Sequence, residues 1–184
     1  TPTPTPGLEI PTLDASTREA IPTSPPPDVT DTPSPATAVV PAGAVSGQVN
    51  VRFGNFVELV SYGLPSAQVT AGQSLELTLN WRALETPSPM DYLVFTHLRG
   101  ADGNIIAQHD GPPGQGTRPM TEWAPGEVIA DVHLMSFQEA YRDYVGPATI
   151  AVGLYNPSVV SERVPTSEGE TLVVLPLTVQ VVAQ

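Results

Sequence analysis

After about residue 46, hydrophobic and polar residues alternate with period two along most of the chain. From Ser74 to Ala83, Leu75, Leu77, Leu79 and Trp81 fall on one face, with Glu76, Thr78, Asn80 and Arg82 on the other. This is the pattern of a half-buried strand. Asp91–Arg99 alternates Leu93, Phe95 and His97 with Tyr92, Val94, Thr96 and Leu98, and Asp102-Gly103 is a hairpin signal leading into Asn104–His109. Glu127–Phe137 sets Val128, Ala130, Val132 and Leu134 against Ile129, Asp131, His133 and Met135. Val49–Phe53 and Phe56–Tyr62 flank Gly54-Asn55, and Ala148–Tyr155 and Leu172–Val182 complete a set of seven to nine predicted strands. No segment sustains a helical period, and Phe137–Tyr144 offers one short helical turn. Strands at this spacing, joined by Gly-, Pro- and Asn-rich turns, predict an all-β fold: an immunoglobulin-like antiparallel β-sandwich over residues 46–184.

Residues 1–45 break the pattern. They hold 11 of the 22 prolines, in runs such as Thr1-Pro2-Thr3-Pro4-Thr5-Pro6 and Pro25-Pro26-Pro27. Proline fixes φ and drives its predecessor into extended backbone, so this stretch is expected to be a long Pro/Thr-rich arm of polyproline II character. At about 3.1 Å per residue, 45 such residues reach about 140 Å. Pro-rich Thr/Ser segments serve as solvated spacers and as stalks outside the cell, sometimes O-glycosylated. Apolar residues nevertheless punctuate this one, at Leu8, Ile10, Leu13, Ile21, Val29, Val39 and Val40. A pure spacer has no need of them. Leu8, Ile10, Leu13, Ile21, Val39 and Val40 are therefore the candidate contacts of the arm with a protein partner or with copies of the chain itself.

Composition narrows the function classes. The chain carries 19 acids, seven Arg and no Lys, for a net charge of −12, of which about −4 falls on the arm. A nucleic-acid partner is not expected, because nothing supplies the cationic footprint that neutralises phosphates, and an anionic membrane surface would repel the chain. The absence of Cys excludes disulfides, thiolate metal sites and thiol catalysis. No apolar run reaches 18 residues: the longest candidate, Leu172–Val182, is interrupted by Pro176, Thr178 and Gln180. The first residue is Thr1, as in a processed or truncated product.

The run Gln108-His109-Asp110-Gly111-Pro112-Pro113-Gly114-Gln115-Gly116, followed by Pro119, Thr121, Trp123, Pro125-Gly126-Glu127 and Asp131, resembles a β-sandwich domain of exported or membrane-anchored bacterial proteins of the Chloroflexota type. Val152-Gly153-Leu154-Tyr155-Asn156-Pro157 fits the same pattern. Such domains are similar to the region that follows the membrane-spanning part of some glycosyltransferase-like proteins. The resemblance covers about residues 50–182 and none of the arm. It implies an extracytoplasmic sandwich and transfers no activity.

Reactive constellations are sparse. His97, His109 and His133 are the only histidines, none at the i, i+4 spacing of a helical metal site, and hydrogen-bonded core or rim positions account for them. His109 and Asp110 are neighbours on a strand and so point to opposite faces; Asp110 is read as the start of a turn into the Gly111–Gly116 loop. Asp102-Gly103-Asn104 lacks the further acidic ligands of a calcium loop, and a hairpin explains it; a calcium ion held elsewhere would draw on Asp110, Glu122 or Asp131. There is no Gly-x-Ser-x-Gly elbow and no phosphate-binding loop. Trp81 shares a face with three leucines and is expected in the core. Trp123, between Pro119 and Pro125, either plugs an end of the sandwich or offers a ring to a glycan or protein.

The sequence thus predicts a non-catalytic structural or interaction module with no cofactor and no metal, placed outside the cell, on its surface or on the periplasmic side of a membrane. It would be a subunit of a surface assembly, filament or larger complex, joined by strand or arm addition. The alternative is a carbohydrate-binding module that reads surface or cell-wall glycan through Trp123, His109 and Asp110.

Overall fold

The computed structural model describes residues 43–184. The candidate arm contacts Leu8, Ile10, Leu13, Ile21, Val39 and Val40 therefore lie outside the described residues. Eleven strands follow: β1 Val45–Phe53, β2 Val57–Leu64, β3 Gln68–Thr70, β4 Leu75–Ala83, β5 Leu93–Gly100, β6 Ile105–Gly111, β7 Val128–Phe137, β8 Gly146–Asn156, β9 Val159–Arg163, β10 Val173–Val174 and β11 Val179–Val182. Short 3₁₀ turns occupy Pro113–Gly116, Met120–Glu122 and Glu139–Tyr141. The last lies inside the segment expected to form a helical turn.

The all-β expectation holds. The strands form one curled, mixed sheet in the order β1-β2-β4-β7-β6-β5-β8-β11-β3, with β9 and β10 also paired to β8. The expectation of purely antiparallel pairing does not hold, because β11 runs parallel to β3, matching Gln180 to Gln68. More than a hundred residues separate those two strands in sequence, so the usual constraint that parallel neighbours need a crossover connection is met by the rest of the domain.

β7 makes the curl. Its residues Val128–Met135 pair with β4, whereas only Ser136 and Phe137 pair with β6. The strand thus leaves one set of neighbours and joins another, which folds the sheet over a single core. Leu77, Leu79 and Trp81 of β4 meet Val94 and Leu98 of β5, Ile106 of β6, and Ile150, Val152 and Leu154 of β8 there, all of them fully buried. Trp81 stands edge-on to Phe53 with ring centroids 5.7 Å apart, the geometry favoured by the ring quadrupoles.

Three departures from the sequence reading have physical causes. Leu172–Val182 is two strands rather than one. Pro176 lacks an N–H for a ladder, and the chain breaks there into β10 and β11. β3 has three residues, too few to display a period. β9 is exposed throughout, so Val159 and Val160 obey no inside–outside alternation, and only its hairpin pairing to β8 defines it.

β8 is buried on both faces near its middle. A Cβ on Gly153 would stand 2.3 Å from the Phe95 ring and 2.8 Å from the Thr171 carbonyl. The ring has some freedom and the carbonyl has none. Gly153→Val is therefore expected to cost about 1–3 kcal/mol through overpacking, read as a lower urea midpoint at constant m-value.

Candidate functional site

Two features stand out, one chemical and one topographic. The chemical feature lies in the wedge where β6 and β7 part. His133 and Asp131, two residues apart on β7, share its inward face, and each is 1% exposed. Asp131 Oδ2 lies 2.7 Å from His133 Nε2 and accepts from Trp81 Nε1–H at 3.3 Å, while Asp131 Oδ1 accepts from the Gly114 N–H at 2.9 Å. His133 Nδ1 lies 2.9 Å from His109 Nδ1, reaching across from β6. Every buried side-chain nitrogen or oxygen among the described residues has a partner, so the cluster is a satisfied network.

The expectation that the histidines are hydrogen-bonded to neighbours holds for His109 and His133 but not for His97, and the opposite facing of His109 and Asp110 holds as well. His109 turns to His133, while Asp110 turns to the other face of the sheet, where its Oδ1 stands 3.7 Å from His97 Nε2. On that outer face Arg163 lies over the Phe95 ring at 4.4 Å from the centroid, and Phe95 also packs against His97 and Tyr155. Burial, and then the Asp110 carboxylate, raise the Tyr155 hydroxyl above its ordinary value.

Sequence reasoning named each histidine but not the pairing of His109 with His133 through Asp131. The signal available was that Asp131 and His133 sit two apart on a strand, hence on one face. Among the described residues no group of three or more His, Cys, Asp or Glu side chains is arranged to hold a metal ion. The 2.9 Å between the imidazole nitrogens is a hydrogen-bond length. Two zinc–imidazole bonds at a tetrahedral angle hold their nitrogens about 3.3 Å apart. Asp131 has both oxygens occupied, and Asp102 accepts from the Asn104 backbone and side chain in the β5–β6 hairpin.

Trp123 is buried at 6% exposure, with its Nε1–H on the Arg118 carbonyl. It belongs to the core cluster and presents no open face for stacking.

Burial and the neighbouring His133 lower the His109 pKa below its ordinary value of 6.5, against a smaller upward pull from Asp110 and Asp131. The unfolded chain then binds this proton more tightly than the folded one. The His109 contribution to stability is complete above pH 6.5 and declines as pH falls from there towards the folded value. Urea midpoints taken from pH 7.5 to 5 are expected to fall with acidification, and His109→Gln is expected to flatten that part of the profile.

The topographic feature is a groove of about 480 Å³ between β1 and the segment that leads into β10. Among the described residues β1 pairs with a strand, β2, on one side only. Near Phe53 its other edge is closed by a bridge to Thr166, with Gly54 N–H donating to the Pro165 carbonyl and Ser167 N–H to the Arg52 carbonyl. Towards Gln48 the edge opens into the groove. Val49, Val51 and Val173 line it together with Glu168 and Glu170. The register of β1 slips between Gln48 and Val51, where Asn50 takes a φ of 55°; this is a bulge of the kind that occurs at sheet edges.

No protein-family model matches the sequence, and a search of curated proteins likewise finds no match. Residues 43–184 form an all-β domain with a buried Asp–His–His network, and among the described residues the groove-facing edge of β1 has no partner strand and no helix is long and apolar enough to cross a membrane.

Proposed function

We propose that this chain is a non-catalytic extracytoplasmic interaction module, a subunit of a surface assembly, filament or larger complex. The open edge of β1 in its groove is the observation that carries the reading. An unpaired strand edge presents a row of backbone donors and acceptors, and an extended segment laid along it gains ladder hydrogen bonds while its alternate side chains enter the groove. Val49, Val51 and Val173 suit apolar residues at every second position, and Glu168 and Glu170 suit positive charge between them. On this reading the curled sheet is an immunoglobulin-like sandwich, and residues 1–45 are an extended arm that adds contacts through its spaced apolar residues. The Pro/Thr-rich composition of the arm and the resemblance to exported bacterial sandwich domains support an extracytoplasmic location.

The groove is tested with an extended basic peptide of alternating Lys and Val. Calorimetry is expected to show binding at least tenfold weaker to the Glu168→Lys/Glu170→Lys variant; equal affinity for both proteins sinks the assignment of the groove. The arm is tested separately by removing residues 1–45 and measuring mass by light scattering. Unchanged assembly and partner binding would remove the arm from the reading.

A further inference from the structure

The ladder between β6 and β7 ends at Gln108 and Ser136. One residue further along β6, His109 continues the connection with its side chain. Hydrogen bookkeeping then fixes what the network can do. A carboxylate only accepts, so His133 Nε2 carries the hydrogen shared with Asp131. Two Nδ1 atoms 2.9 Å apart need one hydrogen between them, no more and no fewer.

Two charge states of the imidazole pair meet that condition. When both rings are neutral, His109 donates through Nδ1 to the bare Nδ1 of His133. When one proton is added, either ring holds the charge, a single hydrogen still lies between the Nδ1 atoms, and Asp131 compensates the charge. A second added proton puts an N–H on both Nδ1 atoms, head to head, and the contact cannot persist.

The turn beside the network depends on it. Only four residues separate His109 from Gly114, whose N–H is bound to Asp131, and the Pro113–Gly116 turn packs against β7. Gly114 and Gln115 both adopt left-handed backbone within the turn, with φ of 58° and 57°. For the non-glycine Gln115 that conformation is costly, and it persists where surrounding contacts enforce it.

We propose that His109, His133 and Asp131 form a one-proton latch that holds the 112–119 loop against β7 while the histidine pair carries at most one positive charge, and releases it when a second proton enters. His109 is the half-exposed end and so the entry point for protons, whereas His133 and Asp131 are sealed. The charged groups around the pair are few. Asp110, on β6, faces away towards His97 of β5. β4 contributes the Trp81 N–H and the turn contributes the Gly114 N–H. Arg118, beyond the turn, is tied to Glu127. Release opens the wedge between β6 and β7. The latch is independent of what occupies the β1 groove.

The test is amide exchange and imidazole ¹⁵N shifts on the full chain between pH 7.5 and 4. The first protonation step is expected to leave Gly114 protected. The second is expected to cut its protection at least tenfold while core amides such as those of Leu77 and Trp81 keep theirs. His109→Gln cannot gain the second charge, so Gly114 protection in that variant is expected to be flat across the range. Three results would each overturn the proposal: constant Gly114 protection in the unaltered protein, the same loss in His109→Gln, or core amides losing protection in step with Gly114.

Discussion

Asp131→Ala is expected to lower the unfolding free energy by about 3–5 kcal/mol, the range for removing one partner from a buried polar or ionic network. Asp131 is 1% exposed and receives hydrogen bonds from three elements: His133 on its own strand, Trp81 on β4 and the Gly114 backbone of the 113–116 turn. Truncation leaves all three donors buried or nearly so without an acceptor, and the small side chain admits no obvious replacement. Asp131→Asn preserves the shape but turns one acceptor into a donor facing other donors, so its stability is expected to fall between that of the unaltered protein and that of Asp131→Ala. The check is equilibrium urea unfolding at pH 7.5, with m-values compared to confirm that the denatured states match. A loss below about 1 kcal/mol for Asp131→Ala would place this residue among ordinary surface substitutions and end its role as the anchor of the network.

Trp81→Ala is expected to cost a similar amount, about 3–5 kcal/mol, for a different reason. The ring is fully buried near the C-terminal end of β4, edge-on to Phe53, and its N–H meets Asp131. Removing it empties the largest fully buried side chain in the described core. Trp81→Phe separates the contributions, since it keeps most of the apolar contact and deletes the N–H donor, and its cost is expected to be smaller, near the about 0.5–1.5 kcal/mol of one hydrogen bond plus a partial cavity. Because Trp81 and Asp131 touch, the double variant Trp81→Phe/Asp131→Asn is expected to cost less than the two single changes added together. Strict additivity in that cycle would show that the two residues act independently.

Much of the fold was legible because a strand buried on one face leaves a period-two trace. β4 shows the cleanest case: Leu75, Leu77, Leu79 and Trp81 are buried in alternation with partly exposed polar neighbours, as their spacing predicts. The 102–104 hairpin was legible for a local reason, since Asp102 binds the next-but-one residue and Gly103 takes positive φ. β3, β9 and the division of 172–182 left no comparable trace. β3 is too short to show a period and pairs with a strand more than a hundred residues away, β9 is exposed throughout, and the place where 172–182 divides is fixed by the separate pairings of β10 and β11 on β8.

β7 marks the boundary between what the sequence decided and what only the tertiary structure decided. By itself the sequence determined that residues 128–137 form a strand, that Asp131 and His133 share a face, and that Val128, Val132 and Leu134 share the other. Hydropathy alone favours burial of the valines. The fold does the reverse, leaving Val128 and Leu134 53% and 52% exposed while sealing Asp131 and His133 inside. The reason is that burial of a polar group is governed by its partners, and here the partners come from β4, β6 and the 113–116 turn. A carboxylate and an imidazole are costly to bury alone and tolerable once each polar atom is matched. That matching exists only when the sheet curls at β7 and brings His109, Trp81 and Gly114 together, so no alternation of residues along one strand could announce it.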